Sequence, residues 1–585
     1  MSNLDHANKG PGYTYNTAGD LSAIDYSDAT PDVSAITYDQ QGRRTSVTDG
    51  GGTRTFTYGG GNQLATEANT TLGWAVTRTY DAQNRRASLA ATLQPDTLTY
   101  TYSSTTGRLE TLIQGDYEWT YGWNEPLATI ATTTAKKNSN LILTATKTFD
   151  GHGRLTSIVN TDKNAVVFTS HTYTYDTLGR RTQAQREDTT YWDYTYDQYG
   201  QVTSGAKKRS DSTPIPGYQF GYTFDSIGNR TETNTNGRSE SYTPNLLNQY
   251  TNKENQGVID VTGTATTASI VAVNEQPTTR LDEYFAGTAT GDNSTGATEI
   301  TANIHAVNPG AGPNGEDVVS TATKSEIVPP EEEAFTYDDD GNLAADGKWT
   351  YTWDAENRLI AITPKSGNEV LLGKKLTFGY DTDAKRIWQD TADWNVGTAS
   401  WDTPLRERYL YDGWNLLVIT DDSLTVGGKR FTWGYDLSNT FEKAGGVSGL
   451  LLSHVDSEDA LPMYDGNGNV QGLADNTSIL IGKYEYGSFG KLLLVSDARL
   501  IKHPFQWSTK YYIQTPSLIY YGYRFYSSKL ERWINRDLIN ENGGLNLLVF
   551  IRNSSVNQID VNGLMYITPA PPDPRYEQVR REREW

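Results

Sequence analysis

The stretch Thr172–Gln183 reads TYTYDTLGRRTQ. Threonine and tyrosine alternate, so a strand here carries Tyr173 and Tyr175 on one face and Thr172 and Thr174 on the other. Asp176 has the side chain favoured at the first position of a type I turn, where its carboxylate accepts backbone N–H groups. Gly179, three residues on, supplies the positive φ that closes a hairpin with a G1 bulge. Arg180 begins the return strand. The stretch predicts a strand, a turn and a strand.

The same phrase recurs along the chain. FGYTFDSIGNRTE occupies Phe220–Glu232 and EAFTYDDDGNL occupies Glu333–Leu343. Aromatic-Asp-x-x-Gly-(Arg/Asn) also falls at Tyr38–Arg43, and Asn replaces Gly at Tyr80–Arg85 and Trp353–Arg358. Asn is the best substitute at positive φ. Looser copies begin at Tyr58, Tyr102, Phe149, Tyr196, Tyr464 and Tyr486. The anchors Tyr38, Tyr58, Tyr80 and Tyr102 are 20, 22 and 22 residues apart. One hairpin per unit follows, and neighbouring hairpins must pair to bury their tyrosine faces.

Composition agrees. The 585 residues include 38 Tyr but only 14 Phe, with 54 Gly. This bias favours strands and tight turns. A formal net charge of -21 repels nucleic-acid phosphate and anionic membranes. Nucleic-acid binding and membrane insertion by this chain are therefore not expected. There is no cysteine, hence no disulfide, thiol nucleophile or thiolate metal site. No apolar run approaches a transmembrane length. The start, MSNLDHANKGPGYTYN, has neither a basic nor an apolar segment of a signal peptide.

These units resemble the YD repeats of bacterial Rhs proteins, of the C component of insecticidal toxin complexes, and of teneurins. The segment Ser508–Leu564, STKYYIQTPSLIYYGYRFYSSKLERWINRDLINENGGLNLLVFIRNSSVNQIDVNGL, is similar to the Rhs repeat-associated core. The skeleton of that core is Y-Y-x-x-R-x-Y, G-R-(W/F)-x-x-R-D, G-G-x-N-L and N-x-x-V-N-x-x-D-x-x-G-L. It is met at most positions. FTWGYDLSNTFEKAGGVSGLLL, Phe431–Leu452, is a further family phrase. The resemblance implies an all-β fold in which YD-repeat hairpins form a long spiralling sheet, a hollow shell, with one end closed by the core segment. It also implies a location outside a bacterial cell, secreted or on its surface.

The expected organisation is a first shell part over 1–250, an insert over 251–333, a second shell part over 334–507, the core over 508–564 and a tail over 565–585. The Thr/Ala/Val/Ile-rich insert predicts a small β-sandwich, with a disordered linker as the alternative. SEIVPPEEEAF, Ser325–Phe335, reads as a stiff acidic linker back to the repeats. The 21 residues after Leu564 are too few for an independent toxin domain, so the expectation is a shell whose cargo is missing or truncated.

In self-cleaving relatives two aspartates of the core cut the chain just after the G-L of the motif. Carried over, these are Asp537 and Asp560, with Arg536 as their neighbour and Leu564–Met565 as the scissile bond. Two carboxylates held close cannot both ionise easily, so one activates water while the other stays protonated and polarises the carbonyl. The relatives often have Pro after each aspartate; here Leu538 and Val561 follow. By spacing alone each aspartate reads as a turn cap. The activity implied is at most a single autoproteolytic turnover per chain.

No cofactor is expected. The six histidines lack metal-ligand spacing. Asp465, Asn467 and Asn469 have calcium-loop spacing but no Glu at the twelfth position, and they read as another YD turn. The implied partners are a C-terminal toxin effector and a delivery-system or N-terminal shell partner. Two alternatives stay open: a cell-surface adhesin whose tyrosines stack on a glycan, and an inactive remnant.

Overall fold

The computed structural model describes residues 11–422, 428–564 and 566–567. Every strand from Ala35–Tyr38 to Tyr250–Glu254 pairs antiparallel with the next, building one long strip. Glu332–Ala334 adds to its last strand, with Asn252 opposite Ala334. A second strip of 15 strands runs from Thr336–Tyr337 to Leu492–Val495.

Each hairpin is closed as its residue types require. Asp176 Oδ1 accepts the N–H groups of Leu178 and Arg180, both at 2.9 Å. Its Oδ2 accepts Arg180 Nε at 2.7 Å. Gly179 has φ 80°, Asn84 60° and Asn357 58°, so the glycine position is left-handed whichever residue fills it. The register slips between Thr174 and Tyr175, which places the bulge opposite the aromatic anchor. The same slip occurs at Tyr38, Tyr80, Trp353 and Tyr464.

Neighbouring hairpins are stitched by the two remaining motif residues. The Arg of one turn lies over the anchor ring of the next: Arg43 over Tyr58 and Arg85 over Tyr102 at 4.3 Å, Arg180 over Tyr196 at 4.6 Å. The anchor hydroxyl donates to a backbone carbonyl of the preceding hairpin. Tyr58 reaches Arg44 O, Tyr80 reaches Leu64 O and Tyr102 reaches Arg86 O, each at 2.8 Å. Where Trp replaces Tyr, the indole N–H does the same: Trp123 to Leu109 O at 2.8 Å, Trp353 to Leu343 O at 2.7 Å. A phenylalanine anchor has no donor to offer, which is a physical reason for the excess of tyrosine. On the outer face threonines pair across strands, as Thr174 with Thr182 at 3.0 Å and Thr195 with Thr203 at 2.8 Å.

The inner faces of the two strips meet. Trp119, Leu109 and Leu112 of the first share a core with Phe431, Met463 and Val470 of the second. Into the same core the C-terminal segment inserts Tyr526, Trp533 and Phe550. That segment forms a four-stranded sheet, Tyr511–Ile513, Leu518–Tyr520, Phe525–Ser527 and Arg532–Trp533. It also packs Ile513, Leu518, Tyr520, Phe525 and Ile534 into a second core beside Tyr351 and Phe378. Over these residues the space inside the curved wall is thus filled by inward side chains and by this segment. A cavity of about 370 Å³ persists, lined by Asp49, Arg358, Asp383, Tyr523 and Leu538 among others.

The insert is ordered. Val258–Thr264 pairs with Tyr284–Thr290, and Ile270–Val273 and Val318–Val328 flank Thr298–Asn308. The two small sheets close on Ile259, Val261, Val271, Val273, Phe285 and Ile300, which makes a β-sandwich. The acidic return is not a free linker: Glu332–Ala334 is a strand of the first strip, and Asn255 Nδ2 ties Glu333 at 3.0 Å.

Candidate functional site

The core segment brings its two aspartates to one arginine. Arg524 follows the Tyr521–Arg524 turn, closed by Tyr521 N–H on Arg524 O at 3.0 Å. Its guanidinium lies 4.2 Å over the Trp533 ring. Nη1 meets Asp537 Oδ2 at 3.1 Å, and Nη2 meets Asp560 Oδ2 at 3.7 Å. Nε donates to the carbonyl of Gly563. All three side chains are buried.

Each aspartate also caps a turn. Asp537 Oδ1 accepts Ile539 N–H at 3.1 Å. Asp560 Oδ1 accepts Asn562 N–H at 3.1 Å and Gly563 N–H at 2.6 Å. Turn capping and convergence on Arg524 are therefore compatible, because the two oxygens of each carboxylate divide the tasks. Burial pushes the Asp560 carboxyl up to about 6, against the pull of Arg524, the Gly563 N–H and Lys510, with Asp537 adding to the rise. A group so placed holds a proton in the mildly acidic range, where an ordinary aspartate does not.

The chain leading to the expected scissile bond is held through its backbone. Lys510 Nζ donates to Val561 O and to Gly445 O, each at 2.6 Å. Tyr523 N–H donates to Asn562 O at 3.0 Å. Gly563 has φ 85°, and a Cβ there would stand 2.9 Å from the Arg524 nitrogen, so glycine is required twice over. Beyond Leu564, Tyr566–Ile567 turns back and pairs with Ile559–Asp560, Tyr566 opposite Asp560. Leu564 is half-buried. Met565 lies outside the described residues.

Arg536 does not join the aspartates. Its Nη2 donates to Asn540 Oδ1 at 2.9 Å and its backbone N–H faces Asn342. The cation between the acids is Arg524, which sequence reasoning passed over. It is the arginine of Y-Y-x-x-R-x-Y at Tyr520–Tyr526, so a signal for it was present. Lys510 had no such signal, since only folding brings it to Val561. Asp465 sits in a YD turn, accepting Asn467 and Asn469 N–H groups at 2.9 Å.

The fold is thus a wall of repeated antiparallel hairpins, turned again and again at an Asp-x-x-(Gly/Asn) phrase, with a buried two-aspartate cluster in its C-terminal segment. No protein-family model matches the chain. It is similar to the tRNA3(Ser)-specific nuclease WapA of Bacillus spizizenii, 27% identical over 216 residues, which are 36% of this chain and 8% of that protein. The tRNA nuclease WapA of Bacillus subtilis is 26% identical over 216 residues. The chain spans less than a tenth of the length of these relatives. Among solved structures it is similar to TcdB2-TccC3, with TM-score 0.36 and 15% identity over 95% of this chain and 31% of that one. The Photorhabdus luminescens Tc holotoxin pore gives TM-score 0.36 and 14% identity over 97% of this chain and 30% of that one.

Proposed function

We propose that this chain is a section of an Rhs-type shell that encloses a C-terminal toxin effector, and that it cuts its own backbone between Leu564 and Met565. In this reading 508–564 seals and processes, while the strips before it form the wall. The site of action is outside the producing bacterium, secreted or at its surface. The observation that carries the cleavage is the convergence of Asp537 and Asp560 on Arg524, beside the carbonyl of Gly563.

The step is one hydrolysis. The ionised aspartate takes a proton from water, and the water oxygen adds to the Leu564 carbonyl carbon. The protonated aspartate gives its proton to the carbonyl oxygen. The C–N bond to Met565 then breaks as the base aspartate passes the proton it took from water to the nitrogen, which leaves as an amine. The new Leu564 carboxyl returns one proton to the donor aspartate, loses the other to solvent and ends as a carboxylate. The raised Asp560 suits the proton donor, and Asp537, closer to Arg524, suits the base.

A glycan-binding role is less favoured by the anchors, because their hydroxyls already serve backbone carbonyls between hairpins. Incubating the full chain and its Asp537→Asn variant tests the processing. The wild type should yield a 1–564 species by intact mass while the variant stays whole. A wild type that keeps its full mass ends this reading.

A further inference from the structure

Four lysines from four segments gather where the insert returns to the wall. Lys324 stands in the insert strand Val318–Val328 and Lys348 in the turn before the strand Trp349–Trp353. Lys491 precedes the strand Leu492–Val495, and Lys529 lies between Phe525–Ser527 and Arg532–Trp533 of the core segment. All four act on one carboxylate, Glu326. Lys529 Nζ meets its Oε1 at 3.3 Å. Among the described residues neither Lys324 nor Lys348 has an ion pair; their Nζ atoms donate to backbone carbonyls, Asp260 O at 2.6 Å and Ile327 O at 3.1 Å. Lys348 is buried and stands beside the Lys529 ammonium, while Lys491 and Lys529 are exposed. The neighbouring acids serve other groups. Asp346 Oδ1 accepts the Lys348 and Trp349 N–H groups at 2.7 Å, Glu333 Oε1 accepts the Gly347 N–H at 3.1 Å, and Asp260 holds Arg238 at 2.7 Å. One carboxylate thus faces four ammonium groups in a chain whose formal net charge is -21.

We propose that this cluster is a binding site for a phosphate group, carried by inorganic phosphate or by a phosphomonoester. Ammonium groups approaching from four segments suit a tetrahedral, doubly charged oxyanion better than one planar carboxylate, and lysine binds phosphate as a point charge. Lys348 forms the floor, and the exposed Lys491 and Lys529 can close over the ligand. Burial and the adjacent Lys529 lower the Lys348 ammonium to about 8, against the pull of Asp346, Glu333 and Glu326, so it keeps its proton at pH 7. A bound dianion relieves the repulsion between Lys348 and Lys529 and ties the insert, the second strip and the core segment together. The overall negative charge of the chain repels long polyanions, which leaves small phosphates as the ligand. The site is separate from the aspartate pair and does not depend on cleavage.

Isothermal titration of the full chain at pH 7 and low ionic strength tests this, with inorganic phosphate and glycerol 2-phosphate as probes, chloride at matched ionic strength as the baseline, and near-UV circular dichroism as the fold check. Phosphate should fill one site and raise the unfolding temperature, and chloride should do neither. Lys529→Met and Lys348→Met should each weaken phosphate binding about 10-fold or more, the scale of one charge-assisted hydrogen bond. Lys529 is exposed, so its variant carries the test even if Lys348→Met fails to fold. Glu326→Gln should tighten binding, because the carboxylate competes with phosphate for the same ammonium groups. Lys502→Met, which loses only the pair with Asp456, should change nothing. Tighter binding of glycerol 2-phosphate assigns the site to a phosphomonoester, and tighter binding of inorganic phosphate assigns it to the free anion. No phosphate binding above the chloride baseline overturns the proposal. So does an unchanged affinity in folded Lys529→Met, or a weaker one in folded Glu326→Gln, either of which marks the lysines as a clasp for Glu326 alone.

Discussion

Trp192 of the first strip donates its indole N–H to the Glu485 carboxylate of the second at 2.7 Å. Arg186 and Lys207, also from the first strip, meet the same carboxylate at 2.9 and 2.8 Å. One acid therefore gathers three donors across the interior and fastens the two strips. Arg78 on Asp412 at 2.7 Å and Tyr117 on Asp459 at 2.6 Å repeat the device elsewhere.

Glu485→Gln leaves Arg186 and Lys207 buried without their counter-charge. We expect a loss of about 3–5 kcal/mol at neutral pH, the usual cost of removing one partner of a buried pair. Urea unfolding of the variant against the wild type measures it. A change below about 1 kcal/mol would show that the strips do not depend on this contact.

The same acid sets an acid limit. Burial alone would raise the Glu485 carboxyl, but Arg186 and Lys207 hold it down at about 2, below its ordinary 4.5. Because the folded value is depressed, its stabilisation is present above pH 4.5 and is lost as pH falls towards 2. The gap in stability between wild type and Glu485→Gln should therefore shrink across that window. A gap independent of pH would contradict the assignment.

Asp560 has the opposite sign. Its folded value, about 6, lies above the ordinary 3.8, so the fold favours the neutral acid. The contribution is full below pH 3.8 and is lost as pH rises through 6, amounting to about 3 kcal/mol. Relative to uncut wild type, Asp560→Asn should gain about that much stability between pH 4 and pH 7. Parallel pH curves for the two proteins would contradict it.

Tyr380 stands as an anchor before a further turn of this kind, in which Asp381 Oδ1 accepts the Asp383 and Lys385 N–H groups, and Tyr380→Phe tests the stitching role. Its hydroxyl donates to Leu359 O at 2.7 Å in a buried setting. Losing it leaves a carbonyl without its partner, a cost of about 1–3 kcal/mol. Tyr199→Phe, at an exposed turn tip, should cost almost nothing, and equal losses for the two would remove the argument.

Much of the fold is written locally. The Thr-Tyr alternation, the Asp at the turn and the Gly or Asn at positive φ name each hairpin, because all three act within about ten residues. The insert was readable for the same reason, as short alternating strands. The return segment was misread because its acidic, proline-led composition hides a strand whose partner is Tyr250–Glu254. At the site, Asp537 and Asp560 were reached through the family phrase and fold onto one cation. Arg536 was named for adjacency in sequence, but a residue next to an aspartate in a turn points elsewhere, here to Asn540. Arg524 stands in the Y-Y-x-x-R-x-Y phrase and Lys510 in none, and for both the contact with the acids comes from tertiary packing, which spacing does not encode.

The most direct test of the account is the N-terminal sequence of the C-terminal fragment released by the purified full chain. Self-cleavage by the aspartate pair gives a fragment beginning at Met565 and continuing Tyr566, Ile567, absent from Asp537→Asn and from Asp560→Asn. A fragment beginning elsewhere, or the same fragment from either variant, would contradict it.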